Sequence, residues 1–290
     1  MDVRAILGGL TFAMIWASAF TSARVIVTNA PPLTVSAIRF LLAGCIVLII
    51  ARMMGQSFRL TPAQWRLTVI FGICQNALYL GLNFVAMQWV EASLAAIIAS
   101  SLPLFVALIS WLVLREKVRP LGIVGLFMGI AGVVVIMGTR LSAGVDPFGV
   151  ALCLMGALAL AIATLAVRGA SSGGNILVVV GFQMLIGSAA LWVPALIFET
   201  WAFNWTPVVI AAFAYTVFVP GILATVLWFW LVRRIGTVRA ATFHFLTPFF
   251  GVAIAALLLG EAIRPLDILG VAIITVAILV VQLSKEPVST

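Results

Sequence analysis

Eight carboxylates are available to this 290-residue chain for acid–base or metal chemistry, and their placement serves neither. Asp2, Glu91, Glu116, Asp146, Glu199, Glu261, Asp267 and Glu286 all fall at or beyond the ends of long apolar runs. They form no carboxylate pair, and the sequence contains no HExxH, no glycine-rich phosphate loop and no Ser–His–acid set. Cys45, Cys74 and Cys153 lie singly inside apolar runs without CxxC or metal-ligand spacing, so they read as small packing residues. The expectation is a protein that is not an enzyme, with no metal and no cofactor.

The remaining polarity is neutral and striped. Asn76, Tyr79 and Asn83 stand at i, i+3 and i+7, one face of a helix. Ser93, Ser100 and Ser101 share a second face, Thr11, Ser18 and Ser22 a third with Trp16 nearby, and Thr242, His244 and Thr247 precede Pro248. Two roles are open to such groups. They can be interhelical hydrogen bonds, worth about 0.6 kcal/mol each, or they can line a wet cavity, because lipid cannot satisfy an amide. The candidate cavity set is Tyr79, Asn83, Asn76, Ser100, Ser101, Trp16, His244, Tyr215 and Trp228, with Phe243 as a further aromatic wall. His244, the single histidine, reads as a neutral hydrogen-bonding residue, with proton coupling as the alternative. Arg39 reads as an anchor for the outer ends of the first two spans, with binding of a substrate carboxylate as its alternative. Pro103 and Pro248 each remove a backbone hydrogen bond, so they are expected to kink their helices and shape or gate the cavity.

The elements that must position these residues are membrane spans. The chain is 64% hydrophobic and 8% charged, against about 25% charged in soluble domains. Apolar runs define ten spans, at about 4–27, 33–52, 64–87, 92–114, 121–138, 147–168, 175–198, 207–232, 237–259 and 265–283. Pro31-Pro32 separates the first two. Thr61-Pro62 and Thr206-Pro207 read as an N-cap followed by proline at the first helical position, and Ser171-Ser172-Gly173-Gly174 is a turn. Ala17-Ser18-Ala19 imitates a signal-cleavage site, but the apolar run continues past it to Val27, so this segment is expected to be the first span. Gly122, Gly125, Gly129 and Gly132 would permit close helix contact in the fifth span, within the chain or between copies.

Charge assigns the sides. A net charge of +8 would suit nucleic acid or acidic lipid, yet the basic residues are distributed as topology determinants. With the N-terminus inside, twelve of the sixteen are cytoplasmic, and only Arg24, Arg140 and Arg264 fall outside while Arg39 is embedded. Both termini are therefore expected in the cytoplasm, with lipid and a small molecule as partners and no nucleic acid.

The chain also repeats itself. Residues 61–125 align without a gap on 206–270: Thr61-Pro62 on Thr206-Pro207, Pro103 on Pro248, Phe105 on Phe250, Glu116 on Glu261, Pro120-Leu121 on Pro265-Leu266, and Gly125 on Gly270. Five spans per half would invert the second copy, an architecture suited to opening on both sides of a bilayer. The expected fold is all-α integral membrane, with ten transmembrane helices in two inverted five-helix repeats, 1–140 and 141–290. The frame repeats while the cavity residues do not, since Tyr79 aligns with Ala224 and Asn83 with Trp228.

Pro103-Leu-Phe105 followed by Leu114-Arg-Glu-Lys-Val-Arg-Pro-Leu121, and Pro248-Phe-Phe250 followed by Leu259-Gly-Glu-Ala-Ile-Arg-Pro-Leu266, resemble the EamA family of the drug/metabolite transporter superfamily. Trp16-Ala-Ser-Ala-Phe20 and Ala37-Ile-Arg-Phe-Leu-Leu-Ala43 match the same pattern. The resemblance covers essentially the whole chain. It implies a metabolite exporter of the bacterial inner membrane, functional as a monomer, and is nearest to YddG-type exporters of aromatic and other neutral amino acids. The alternative it leaves is a permease for other organic solutes or drugs. Cationic drugs fit less well, because proton antiport of a cation generally uses a buried carboxylate.

Overall fold

The computed structural model describes residues 3–113, 115, 120–142, 144–166, 175–235, 240 and 242–283. Among these there is no strand. Helices α1 (Val3–Val27) and α2 (Pro32–Met53) are followed by a broken helical run. That run comprises α3 (Pro62–Phe71), a π-helical segment Gly72–Leu80, and α4 (Gly81–Ala86). Next come α5 (Ala92–Ser100), α6 (Leu102–Leu112), α7 (Pro120–Ser142), α8 (Pro147–Ala166) and α9 (Ile176–Phe198). A second broken run joins α10 (Pro207–Thr216), a π-helical segment Val217–Leu223 and α11 (Ala224–Ile235). A 3₁₀ turn, Thr242–Leu246, leads into α12 (Thr247–Leu259), and α13 (Pro265–Leu283) closes the described chain.

Among the described residues seven helical runs are long and apolar enough to cross a membrane, and α7, α12 and α13 contribute further apolar stretches at Pro120–Gly132, Thr247–Leu259 and Pro265–Ala277. The outside of the bundle is apolar too. Phe127, Phe198 and Leu257 are well exposed, Leu257 to 82%, which suits a hydrocarbon solvent rather than water. Helix ends are closed by the chemistry expected of them. Thr61 and Gln64 form a reciprocal capping box at the start of α3, and Thr206 accepts from the Val209 amide at the start of α10. Gly260, at φ +68°, ends α12 in the left-handed conformation that costs glycine nothing.

Two of the loop acids, Glu199 and Glu261, cap helices other than their own. Glu199 accepts from the amides of Leu33 and Thr34 (both 2.7 Å) at the start of α2, and Glu261 from Ala92 and Ser93 (2.8 and 2.9 Å) at the start of α5. Each carboxylate meets the orphan donors and the positive end of a helix dipole. At the start of α9 the Leu177 amide donates to Gln56 Oε1 at 3.1 Å. Glu116 and Arg119 lie outside the described residues.

Close packing relies on small residues. α2 and α9 cross at Gly44 and Gly181, where a Cβ on either would stand 3.0–3.2 Å from the other's carbonyl oxygen. The glycine-bearing face of α7 meets the same chain: a Cβ at Gly129 would strike Leu104 of α6, and one at Gly132 would strike Ile273 and Ile274 of α13.

Two kinds of feature recur at the sequence offset of 145 residues. The π-helical segments begin at Gly72 and Val217, and new helices begin at Leu102 and Thr247. Pro103 and Pro248 are thus each the second residue of a fresh helix, where a missing N–H is harmless. The expected kink takes the form of a complete interruption: at Ser101 before α6, and through the 3₁₀ turn before α12.

Candidate functional site: a central aromatic cavity

The cavity at the centre of the bundle encloses about 90 Å³. Its walls come from α1, α2, α3, both π-helical segments, α4, α6, α8, α9, α11 and the 3₁₀ turn. Both π segments border it, and these wider turns commonly mark functional positions. Pro220 accounts for the second, because proline cannot donate within the ladder.

One wall is aromatic. The Trp16 and Tyr79 rings lie nearly parallel, with centroids 6.4 Å apart and planes 6° apart. Phe12 and Trp228 are 5.2 Å apart, and the His244 ring presents itself edge-on to Phe12, Trp16 and Trp228 at 5.1, 5.6 and 5.1 Å. His244 is therefore held by rings, and no acidic residue lines this cavity among the described residues.

The opposite chemistry is amide-rich. Asn76 Nδ2 donates to the Gln183 carbonyl at 2.9 Å and approaches its side-chain oxygen at 3.3 Å, tying the first π segment to α9. Asn83 Nδ2 donates to the Tyr79 carbonyl at 2.8 Å. The Tyr79 hydroxyl, Asn83 Oδ1, and Arg39 Nε and Nη2 are buried without a hydrogen-bond partner. Buried polar groups are ordinarily paired, and Tyr79, Asn83 and Arg39 all belong to the cavity wall, so the wall carries polar capacity that no protein group satisfies and that a polar solute or water could meet.

Of the nine candidate residues, Trp16, Asn76, Tyr79, Asn83, Trp228 and His244 line the cavity. Ser100, Ser101 and Tyr215 do not. Ser100 donates to the Ile97 carbonyl at 2.6 Å, Ser101 is buried at the break between α5 and α6, and the partly exposed Tyr215 hydroxyl lies 2.6 Å from Ser18 Oγ. The helix-one stripe is interhelical too, since Thr216 Oγ1 donates to Ser22 Oγ at 2.9 Å. Phe243 packs with Phe12 and Leu231 away from the lining. Arg39, outside that set and read from sequence as an anchor of the first two spans, is 3% exposed and lines the cavity wall. Gln75 and Gln183 line it as well. The depth of Arg39 within its span was the available signal.

Helices with an apolar exterior around a partly polar cavity define a polytopic membrane protein that handles a small solute. Residues 3–138 and 147–283 each match the EamA-like transporter family, and the chain belongs to that family. It is 28% identical to the inner membrane transporter YedA of Escherichia coli, over 96% of this chain and 91% of that one. It is 26% identical to the transporter YvbV of Bacillus subtilis, over 96% and 91%. A crystal structure of 22% identity superposes with a TM-score of 0.70, covering 98% of both chains, and so shares the fold.

Proposed function

We propose that this chain exports neutral and aromatic amino acids, or closely related small metabolites, by alternating access through the central cavity. In this reading it has ten spans in two inverted halves, residues 1–140 and 141–290, in a bacterial inner membrane, with both termini in the cytoplasm and one chain sufficing. The observation that carries it is the cavity itself: stacked and edge-on aromatic rings facing unsatisfied amide, hydroxyl and guanidinium groups. A flat apolar side chain would fit the rings, and a zwitterionic end the polar atoms.

The interruptions support alternating access. At about 90 Å³ the cavity is smaller than the roughly 300 Å³ at which ligand pockets usually begin, so the loaded state must widen. The breaks before α6 and α12 adjoin the lining through Leu102 and His244, which makes them the natural hinges. Efflux of radiolabelled phenylalanine from proteoliposomes, with a panel of competing solutes, tests the reading. Saturable efflux inhibited by neutral amino acids is the expected result; efflux of sugars or drugs without that of any amino acid would replace the amino-acid substrate with another organic solute.

A further inference from the structure

We infer that Arg39 is the carboxylate-binding residue of the cavity, so that the solute carried is an organic monocarboxylate bearing an apolar group. The inference rests on the reading of the cavity as the transport site. Arg39 is the one formally charged side chain on its wall among the described residues. Two rings pack on it, with the guanidinium carbon 4.3 Å from the Phe40 ring centroid and 4.5 Å from that of Phe84. Cation–π contacts of this kind stabilise the charge without using its N–H groups. Nε and Nη2 are both buried without an acceptor. These share one edge of the planar guanidinium, and that edge matches the two oxygens of a carboxylate in a bidentate pair. A buried charge with no counter-charge is costly, and a solute carboxylate supplies what the protein omits.

The other end of the solute is treated differently. No described carboxylate lines the cavity to pair with an ammonium, and the unpartnered acceptor nearest in chemistry is the neutral Asn83 Oδ1. Recognition should therefore depend on the solute's carboxylate far more than on its amine. This separates the proposal from a general amino-acid site, in which both groups count.

The test is calorimetric titration of the purified protein with L-phenylalanine, 3-phenylpropionate and L-phenylalaninamide, for the wild type and for Arg39→Gln, Arg39→Lys and Arg39→Met. The two carboxylates should bind the wild type comparably and the amide about tenfold or more weakly, the size expected for hydrogen bonds to a charged group. Arg39→Gln should weaken both carboxylates by about the same factor and leave the amide unchanged, with partial recovery in Arg39→Lys. Melting of the ligand-free Arg39→Met protein at or above the wild-type temperature supports a binding role, because an unpaired buried charge has been removed. A marked fall would show Arg39 to be a structural anchor and overturn the proposal. Equal binding of phenylalanine and its amide, or carboxylate binding unchanged in Arg39→Gln, also overturns it while leaving amino-acid export intact. Arg39-dependent binding of 3-phenylpropionate without binding of phenylalanine supports it and removes the amino-acid reading. Binding of none of the three overturns both.

Discussion

At the scale of single residues, Tyr79 and Asn83 combine complete burial with unsatisfied polar atoms, being 0% and 2% exposed. A residue kept only for packing would lose nothing by shedding such an atom. Tyr79→Phe should leave the melting temperature unchanged or slightly raised, since an unsatisfied hydroxyl costs about 1–3 kcal/mol, yet should slow efflux severalfold. Unimpaired efflux would show that hydroxyl to be idle. His244 is surrounded by Phe12, Trp16 and Trp228, so we expect His244→Gln to transport equally well between about pH 6 and 8, spanning the histidine range; a rate that becomes pH-independent only in the variant would make His244 the coupling group. Much of this site was legible from spacing alone, because Asn76, Tyr79 and Asn83 are too polar and too deep to face lipid. Arg39 was legible only in part, since its depth marked it as unusual but did not say which side of the helix looks inward. Ser100, Ser101 and Tyr215 were assigned to the cavity by type and neighbourhood, and their directions depend on a helix break and an interhelical hydrogen bond that spacing does not encode.

Among the elements, Glu199 and Glu261 act as caps that reach between helices. Glu199 holds two amides of α2, and its second oxygen also accepts from Thr34 Oγ1 at 2.7 Å. Glu199→Ala should cost about 0.5–2 kcal/mol, the range for lost N-caps, read as a lowered melting temperature, whereas Glu199→Gln should recover part of it. The same end of the bundle is tied by the Asn204 amide donating to the Asn29 carbonyl at 2.8 Å and by Arg24 donating to the Met87 carbonyl. At the α2–α9 crossing, Gly181→Leu should destabilise by about 1–3 kcal/mol, because the new side chain must displace Leu48; an unchanged melting temperature would mean that the helices are not so closely packed. The helix starts at Thr61-Pro62 and Thr206-Pro207 followed directly from sequence, since capping is local chemistry. The π-helical segments did not. They alter the hydrogen-bond ladder without altering hydrophobic periodicity enough to be noticed, and the first contains no proline to announce it.

For the molecule as a whole, composition and span length were sufficient to indicate a helical membrane bundle, and the paired Glu–x–x–x–Pro segments to indicate the family. What composition could not supply is the asymmetry of recognition within a repeated frame. Asn83 and Trp228 occupy equivalent places in the two halves and both line the cavity, while Ala224, the equivalent of Tyr79, is buried away from it. The repeat is thus one of backbone interruptions and caps, and the cavity is completed by dissimilar side chains from the two halves. If these residues form the transport site, removing one from either half should stop transport without unfolding the bundle. The most direct measurement is efflux of radiolabelled phenylalanine from proteoliposomes containing equal amounts of wild type, Asn83→Ala and Trp228→Ala. The account predicts saturable efflux for the wild type and a fall of about tenfold or more in both variants, the scale for losing a buried polar contact or an aromatic anchor. Wild-type rates in both variants, or no protein-dependent efflux at all, would contradict it.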